Sequence, residues 1–244
     1  MLEKKNIIVT GVGKGLGFDI LKTIISYNGF VYGITRSKSD LKKFDKIKNC
    51  KIFLGDITNS KILEKVFIQS KKDKRIITGF VNNAGARQRL NFKNITKSKL
   101  KVLFDNNFFS IFENMRIFSD YLIRKKISGS IVNIGSIVGN NGFSELAGYA
   151  STKTALTGLT KSFASEMAKR NIRANIINPG FIKTSYFENF KSKKKLYNWT
   201  LSRIPLKRWG EPKEVSHLTC FLLSNLSTYI TGTSINVDGG WTGS

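Results

Sequence analysis

Histidine and cysteine are almost missing from this chain: there is one histidine, His217, and two cysteines, Cys50 and Cys220, among 244 residues. The two thiols lie far apart without metal-ligand spacing, and a single histidine completes no zinc set with them. All three are read as structural or incidental, and no metal is expected. Long apolar runs are missing as well. No window approaches the length of a membrane span. The N-terminal Met1-Leu2-Glu3-Lys4-Lys5 runs into an apolar strand too short and too early for the apolar region of a signal peptide. Cytoplasmic residence without a membrane partner is the expectation. Internal repeats, low-complexity tracts and linkers are also lacking, so residues 1–244 are read as one domain.

Acidic residues are scarce. Sixteen Asp and Glu face 41 Lys and Arg, a formal charge of +25. Such an excess invites a nucleic-acid reading, but the lysines are scattered through nearly every predicted helix and loop, with the densest run only at Lys191 to Lys195. That distribution is compositional and forms no binding stripe. No nucleic-acid partner is expected, although the field favours anionic substrates and acidic partners at low salt. With 41% hydrophobic and 23% charged residues, the chain is otherwise an ordinary globular protein, long enough to bury a substantial core.

What is present is a regular alternation. Lys4 to Thr10 reads as a strand, ends at Gly11-Val12-Gly13-Lys14-Gly15-Leu16-Gly17, and continues into an amphipathic helix over Phe18 to Tyr27. A glycine turn between strand and helix lets the backbone approach a pyrophosphate, and the helix N-terminus offers unpaired N–H groups to it. Further strands are expected at Phe30 to Thr35, Lys51 to Leu54, Ile76 to Val81, Ser130 to Ile134, Ile172 to Ile177 and Thr233 to Val237. Helical faces are expected at Ile62 to Ile68, Lys97 to Lys126, Leu146 to Arg170 and from Glu211-Pro212 to Leu223. Ser185 to Ile204, rich in lysine and aromatics, reads as a mobile substrate lid. This pattern calls for an α/β fold of Rossmann type, a single doubly wound parallel sheet of about seven strands with helices on both faces.

The second strand ends in Thr35-Arg36, where such folds commonly place an acid for the ribose hydroxyls. With no acid there, Arg36 and Lys14 suit a 2′-phosphate, which favours NADP(H) over NAD(H). The chemistry is placed at Tyr149-Ala150-Ser151-Thr152-Lys153. A tyrosine and a lysine four apart project from one helix face. An ammonium beside a phenol favours the phenolate, so Tyr149 becomes a candidate general acid or base. Ser136, just past the fifth strand, lies where ligands bind in such sheets.

Together these residues resemble the short-chain dehydrogenase/reductase family, in its compact single-domain branch, over essentially the whole chain. The likeness rests on Thr10-Gly11 with Gly15 and Gly17, Asp56, Asn82-Asn83-Ala84-Gly85, Asn107, Ser136, Tyr149 with Lys153, Pro179-Gly180 with Thr184, and Asp238-Gly239-Gly240. It implies that Tyr149 exchanges a proton with the substrate oxygen while hydride passes to or from nicotinamide, and that Ser136 hydrogen-bonds that oxygen. It further implies that Lys153 lowers the Tyr149 pKa and holds the nicotinamide ribose, and that Asn107 positions a water relaying protons to Lys153. Cofactor contacts are implied at Gly11, Gly13, Lys14, Gly15, Leu16, Gly17 and Arg36, and at Asp56 (to adenine), Ile57, Asn83, Ala84 and Gly85. Pro179 and Gly180 complete the set, with Ile182 and Thr184 reaching the carboxamide and pyrophosphate.

Within the family the chain looks most like 3-oxoacyl-acyl-carrier-protein reductases, by the thirteen-residue step from Ser136 to Tyr149 and by Ile230-Thr231-Gly232 before Asp238. A dehydrogenase or reductase of a phosphorylated or nucleotide-linked sugar in surface-glycan synthesis is the alternative, motivated by Arg87 and Arg89 just beyond the fourth strand. Those two bases either face an anionic substrate or are simply solvated. A non-catalytic, cofactor-sensing protein on the same fold is the third reading. Phe108-Phe109, after Asn107, are bulkier than the family pattern leads one to expect. In the family, counterparts of the two long helices pair across subunits, implying a homotetramer. Arg124, Lys125 and Lys126, with Lys169 and Arg170, end those two helices and are expected to meet beside the cleft. There they would form a cationic rim for an acidic carrier protein, or else simply answer the helix dipoles.

Overall fold

The computed structural model describes residues 1–185 and 187–243; Tyr186, inside the expected lid, and Ser244 lie outside the described residues. Seven strands form one sheet: β1 (Asn6–Thr10), β2 (Phe30–Thr35), β3 (Cys50–Leu54), β4 (Ile77–Asn82), β5 (Gly129–Ile134), β6 (Ile172–Pro179) and β7 (Ser234–Val237). Their order is β3-β2-β1-β4-β5-β6-β7 and every pairing is parallel. The helices are α1 (Gly15–Ser26), α2 (Lys61–Lys72), α3 (Lys97–Phe104), α4 (Ser110–Lys125), α5 (Ala147–Met167), α6 (Phe187–Lys191), α7 (Lys194–Arg203) and α8 (Pro212–Leu223).

Successive strand residues point to opposite faces, and both faces are covered. Ile7, Val9, Val81, Val132 and Ile177 pack against Ile20 and Ile24 of α1 and Val215 and Leu222 of α8. Ile8, Phe80, Ile131 and Ile176 face the other way, onto Leu63 of α2, Met115 and Phe118 of α4, and Leu156 of α5. This double coverage explains why the central strands read as continuous apolar runs. The order reverses between β1 and β4, and in parallel sheets that reversal opens a crevice at the carboxyl ends of the strands.

Two elements depart from the sequence pattern. The single helix expected over Lys97 to Lys126 is interrupted by one wide π-type turn at Asp105–Phe109, between α3 and α4. Such turns insert a residue into the helical ladder and redirect its side chain; here Asn107 is fully buried. The lid forms two short helices, α6 and α7, whose Phe187, Phe190, Tyr197 and Leu201 pack around Trp209, Trp241 and Ile204.

The start of α8 is tied to the crevice. Glu214 accepts from the backbone N–H of Glu211 at 2.7 Å and takes the Arg208 fork at 2.7 and 2.8 Å. The Arg208 hydrogen bonds, followed by that backbone N–H, hold its carboxyl down at about 2. Gly210, just before this cap, pairs with the 181–183 segment through Phe181 O and Lys183 N, both at 2.9 Å. No helix among the described residues is long and apolar enough to cross a membrane.

Candidate active site

At the carboxyl ends of β1 and β4 lies a cleft of about 440 Å³, lined by the glycine turn, the end of β2 and Asn83, Ala84 and Gly85. Gly11, Gly13, Lys14, Leu16 and Gly17 all reach it. Thr10 organises the floor: its hydroxyl accepts from the backbone N–H groups of Asn83 and Ala84 at 3.0 and 2.9 Å. The Asn83 amide donates to Thr10 O at 2.9 Å and Gly11 O at 3.3 Å, bracing the turn from behind. α1 starts so close to this brace that a Cβ on Gly17 would stand 2.2 Å from the Gly11 carbonyl oxygen. Only glycine allows that approach, so the first turn of α1 presents bare backbone N–H groups to the cleft. Thr184 closes over the turn, 3.7 Å from where a Cβ on Gly15 would be.

The end of β2 is less acid-free than the sequence implies. A 3₁₀ turn over Lys38–Phe44 carries Asp40 back to the cleft. There the carboxylate accepts from the Thr35 hydroxyl at 2.9 Å and from Lys43 at 2.8 Å. A side chain at Gly13 would overlap it. Its pKa is lowered, chiefly by the Lys43 hydrogen bond and then by Thr35 and the nearby Lys14 charge, against the opposing effect of burial. Arg36 is exposed and makes one contact to Asp56 at 3.4 Å. Asp56 itself sits at the rim, held by the backbone N–H and hydroxyl of Thr58 at 2.9 and 2.8 Å, while Gly55 and the buried Ile57 line the cleft. Lys14 has no hydrogen-bond or ion-pair partner among the described residues. The acid at position 40 was visible in the sequence as the single acid between Phe30 and Phe44, but nothing local shows that it turns inward.

Ser136, Tyr149 and Lys153 converge at the carboxyl end of β5. The Lys153 ammonium donates to Ile134 O at 2.7 Å and stands 5.8 Å from the centre of the Tyr149 ring. The Ser136 hydroxyl accepts from the Val138 N–H at 3.2 Å and also faces the Tyr149 hydroxyl. Asn107 completes the group. Its Oδ1 accepts from the Ala86 N–H at 2.7 Å, and its amide donates to Ala86 O at 2.8 Å and the Thr152 hydroxyl at 3.2 Å. Thr152, fully buried and not singled out by the sequence, donates in turn to Tyr149 O at 2.8 Å.

Burial governs both titrating groups. It lowers Lys153 from its ordinary 10.5 to about 8. It also raises Tyr149, opposed by the positive charge of Arg87 and by the Ser136 hydroxyl. The expectation that Lys153 lowers the Tyr149 pKa is therefore not met in this arrangement. The ammonium is directed at the Ile134 carbonyl, and the cation acting on the phenol is Arg87.

A second cavity of about 1040 Å³ adjoins the first, with Leu16 in the wall of both. Ser136 and Tyr149 open onto it, as do Pro179, Gly180, Ile182 and Thr184. Trp199 from the lid, Trp209 and Trp241 also line it, residues whose role only long-range packing defines. Phe108 and Phe109 do not reach this space. Phe108 meets Phe104 and Phe109 edge-on, Phe109 lies tilted against Phe104, and Phe109 is exposed. The basic helix ends do come together, since Gly129 N bonds to Asn171 O at 3.3 Å and β5 pairs with β6 there. They do so at the amino ends of those strands, because α4 and α5 run antiparallel to the sheet. Within one chain the patch is thus at the opposite edge from the cleft, and the rim expected beside it is not formed.

Three comparisons extend the picture. A family model described as Enoyl-(Acyl carrier protein) reductase matches residues 11–242. The chain is similar to the 3-oxoacyl-[acyl-carrier-protein] reductase FabG of Buchnera aphidicola subsp. Baizongia pistaciae, with 35% identity over 97% of each chain. It shares 31% identity with the Thermotoga maritima FabG, over 98% of each. A tropinone reductase homolog from Arabidopsis thaliana is 32% identical, over 99% of this chain and 93% of the relative. Among solved structures, 4-hydroxyisoleucine dehydrogenase complexed with NADH superposes with a TM-score of 0.91 at 31% identity, covering 98% of this chain and 99% of the other. An Agrobacterium tumefaciens protein provisionally assigned as a 2-deoxy-d-gluconate 3-dehydrogenase, with bound NADP, gives 0.88 at 29% identity, covering 100% and 98%.

The buried ammonium makes a stability prediction. A base whose folded pKa lies below its unfolded value costs stability while protonated, and that cost disappears as pH rises from about 8 to 10.5. Lys153→Met removes the group. Between pH 7 and pH 10 the wild type is expected to gain about 1–3 kcal/mol relative to this variant. Urea unfolding of both proteins at the two pH values checks it, and a pH-independent difference would show that the ammonium is not desolvated.

Proposed function

The chain belongs to the short-chain dehydrogenase/reductase family, and from that premise we propose that it interconverts a carbonyl and a secondary alcohol using NADP(H), with Tyr149 as general acid/base. The observation that carries this reading is the convergence of Ser136, Tyr149 and Lys153 at the carboxyl end of β5, with Ser136 and Tyr149 in the wall of the larger cavity.

The residues of the cleft suit a dinucleotide. The first-turn N–H groups at Gly15, Leu16 and Gly17 hold the pyrophosphate, with Gly11 and Gly13 in the wall of the same cleft. Asp56, Ile57, Asn83, Ala84 and Gly85 border the adenosine end, and Pro179, Gly180, Ile182 and Thr184 border the nicotinamide end. Arg36 and Lys14, exposed on the rim, take the 2′-phosphate, while the Asp40 charge is offset by Lys43. When bound, the nicotinamide supplies or accepts the hydride. Ser136 holds the substrate oxygen, and Tyr149 gives its proton to the alkoxide as charge develops. Lys153 holds the ribose beside Tyr149. Asn107, held by Ala86 and Thr152, positions a water that relays protons to Lys153.

The leading substrate is a 3-oxoacyl thioester carried on an acyl carrier protein, supported by the similarity to the FabG relatives. Reduction of a phosphorylated or nucleotide-linked sugar is the second reading, supported by the arginines that line the substrate cavity. A cofactor sensor has no use for the complete acid-bearing set. The reading includes cytoplasmic residence and a homotetramer with two-fold interfaces. Val102, Phe109 and Phe112 leave apolar surface exposed along α3 and α4, which supports pairing of this face.

Three outcomes are expected. Tyr149→Phe lowers turnover of an acetoacetyl thioester or a keto-sugar at least about a hundredfold while NADPH still binds; retained activity removes Tyr149 from the chemistry. Arg36→Asp shifts preference toward NADH by ~2–4 kcal/mol in kcat/KM, and equal use of both cofactors by the wild type overturns the NADP(H) assignment. Light scattering at micromolar concentration returns about four times the 27.4 kDa chain mass, and a monomeric mass refutes the tetramer.

A further inference from the structure

The backbone from Ala86 to Leu90 is held at both ends. At one end the buried Asn107 side chain binds both backbone polar groups of Ala86, at 2.7 and 2.8 Å. At the other, Leu90 N donates to Glu145 O at 2.8 Å, and Arg89 pairs with the Glu145 carboxylate at 3.6 Å. Arg87 lies between these anchors. It lines the larger cavity together with Ser136 and Tyr149, and it has no hydrogen-bond or ion-pair partner among the described residues.

The rest of that cavity has the same sign. Arg87, Arg89, Lys195 and Arg203 border it, and no aspartate or glutamate does so among the described residues. Arg203 lies over the Trp199 and Trp241 rings at 5.6 and 5.4 Å, and Arg89 is engaged by Glu145, which leaves Arg87 as the guanidinium of this wall without a partner among the described residues. The two arginines that the sequence treats alike are thereby separated. An unpaired guanidinium, solvent-exposed at the wall of a concave site and carried on a pinned backbone, is arranged for fork-like binding of a carboxylate or phosphate.

We propose that Arg87 binds an anionic group of the substrate, so that this cavity selects carbonyl compounds that carry a carboxylate or phosphate. The proposal rests on the carbonyl–alcohol reading above and narrows its substrate class. The anionic group belongs either to the oxo compound itself or to the arm on which an acyl group is carried; the recognising chemistry is the same. Arg87 is also the positive charge that opposes the burial-driven rise of the Tyr149 pKa.

The test uses charged and neutral twins. One arm compares acetoacetate with methyl acetoacetate, and the other compares acetoacetyl-4′-phosphopantetheine with acetoacetyl-pantetheine. Each is followed by NADPH oxidation and by tryptophan fluorescence, since all three tryptophans of the chain line this cavity and report its occupancy. In at least one arm the wild type is expected to prefer the charged twin. There Arg87→Gln raises the KM and Kd of that twin and lowers the charged-to-neutral ratio of kcat/KM by about tenfold or more, the scale of one charge-assisted pair. Arg87→Lys restores part of the ratio. A response in the first arm places the anion on the oxo compound, and a response in the second places it on the carrier arm.

Equal changes for both twins in both arms, with a shifted pH profile, would mean that Arg87 acts only on Tyr149, and no change at all would mean that it is merely solvated; either result overturns the proposal. If the wild type oxidises NADPH with none of the four compounds, the carbonyl reading fails on its own. The fluorescence titrations of wild type and Arg87→Gln then decide the anion site separately.

Discussion

The paired hydrogen bonds of Asn107 are the constraint around which the catalytic end of this molecule is built. A buried amide must find partners or forfeit the free energy of its lost hydration. Asn107 meets that requirement with Ala86 on one side and Thr152 on the other, joining three segments remote in sequence. The wide turn at Asp105–Phe109 exists where this side chain points inward, and the first turn of α5 is registered against it through Thr152 and Tyr149 O. Beneath it the same device recurs. Asn114 donates to Asn82, Asn82 donates to Asn133, and Asn133 donates to Thr160, so that α4, β4, β5 and α5 share one buried polar ladder.

Scarcity of acids acts as an organising feature once their positions are known. Asp73 accepts from Lys51, Gln69 and Tyr32, Asp40 from Thr35 and Lys43, and Glu214 from Arg208 and the start of α8. These carboxylates each hold several groups of the framework together, while the described walls of the larger cavity have none. The charge of +25 is thus expressed locally as a concave cationic surface, bordered by four bases that stay exposed to solvent.

Burial governs both Tyr149 and Lys153: at the phenol it outweighs the Arg87 charge, and at the lysine it acts alone. The lysine is held on the Ile134 carbonyl with its pKa brought to about 8, and the phenol remains protonated well past neutrality. A protonated phenol facing a serine hydroxyl at the edge of a cavity is suited to giving a proton to a developing alkoxide. The same arrangement leaves the lysine close to its titration point, where small changes in its surroundings alter its charge.

Local periodicity was enough to recover most of the framework. Alternating apolar strands and amphipathic helices set the parallel sheet and its helices, the glycine turn marked the junction of β1 and α1, and a spacing of four placed Tyr149 and Lys153 on one helix face. Each depends on residues within a few positions of one another, whose geometry the backbone dictates. Other features depend on which distant segments meet. Asp40 enters the cleft because a 3₁₀ turn folds back on Gly13, and Arg87 differs from Arg89 because Glu145 arrives beside one of them. The basic ends of α4 and α5 lie away from the cleft because both helices run back along the sheet. The pKa of Tyr149 follows from how deeply it is covered rather than from its neighbour four residues on. Chain spacing determines which side chains share a face, whereas burial and the pairing of charges are properties of the surrounding volume, which only the tertiary structure fills.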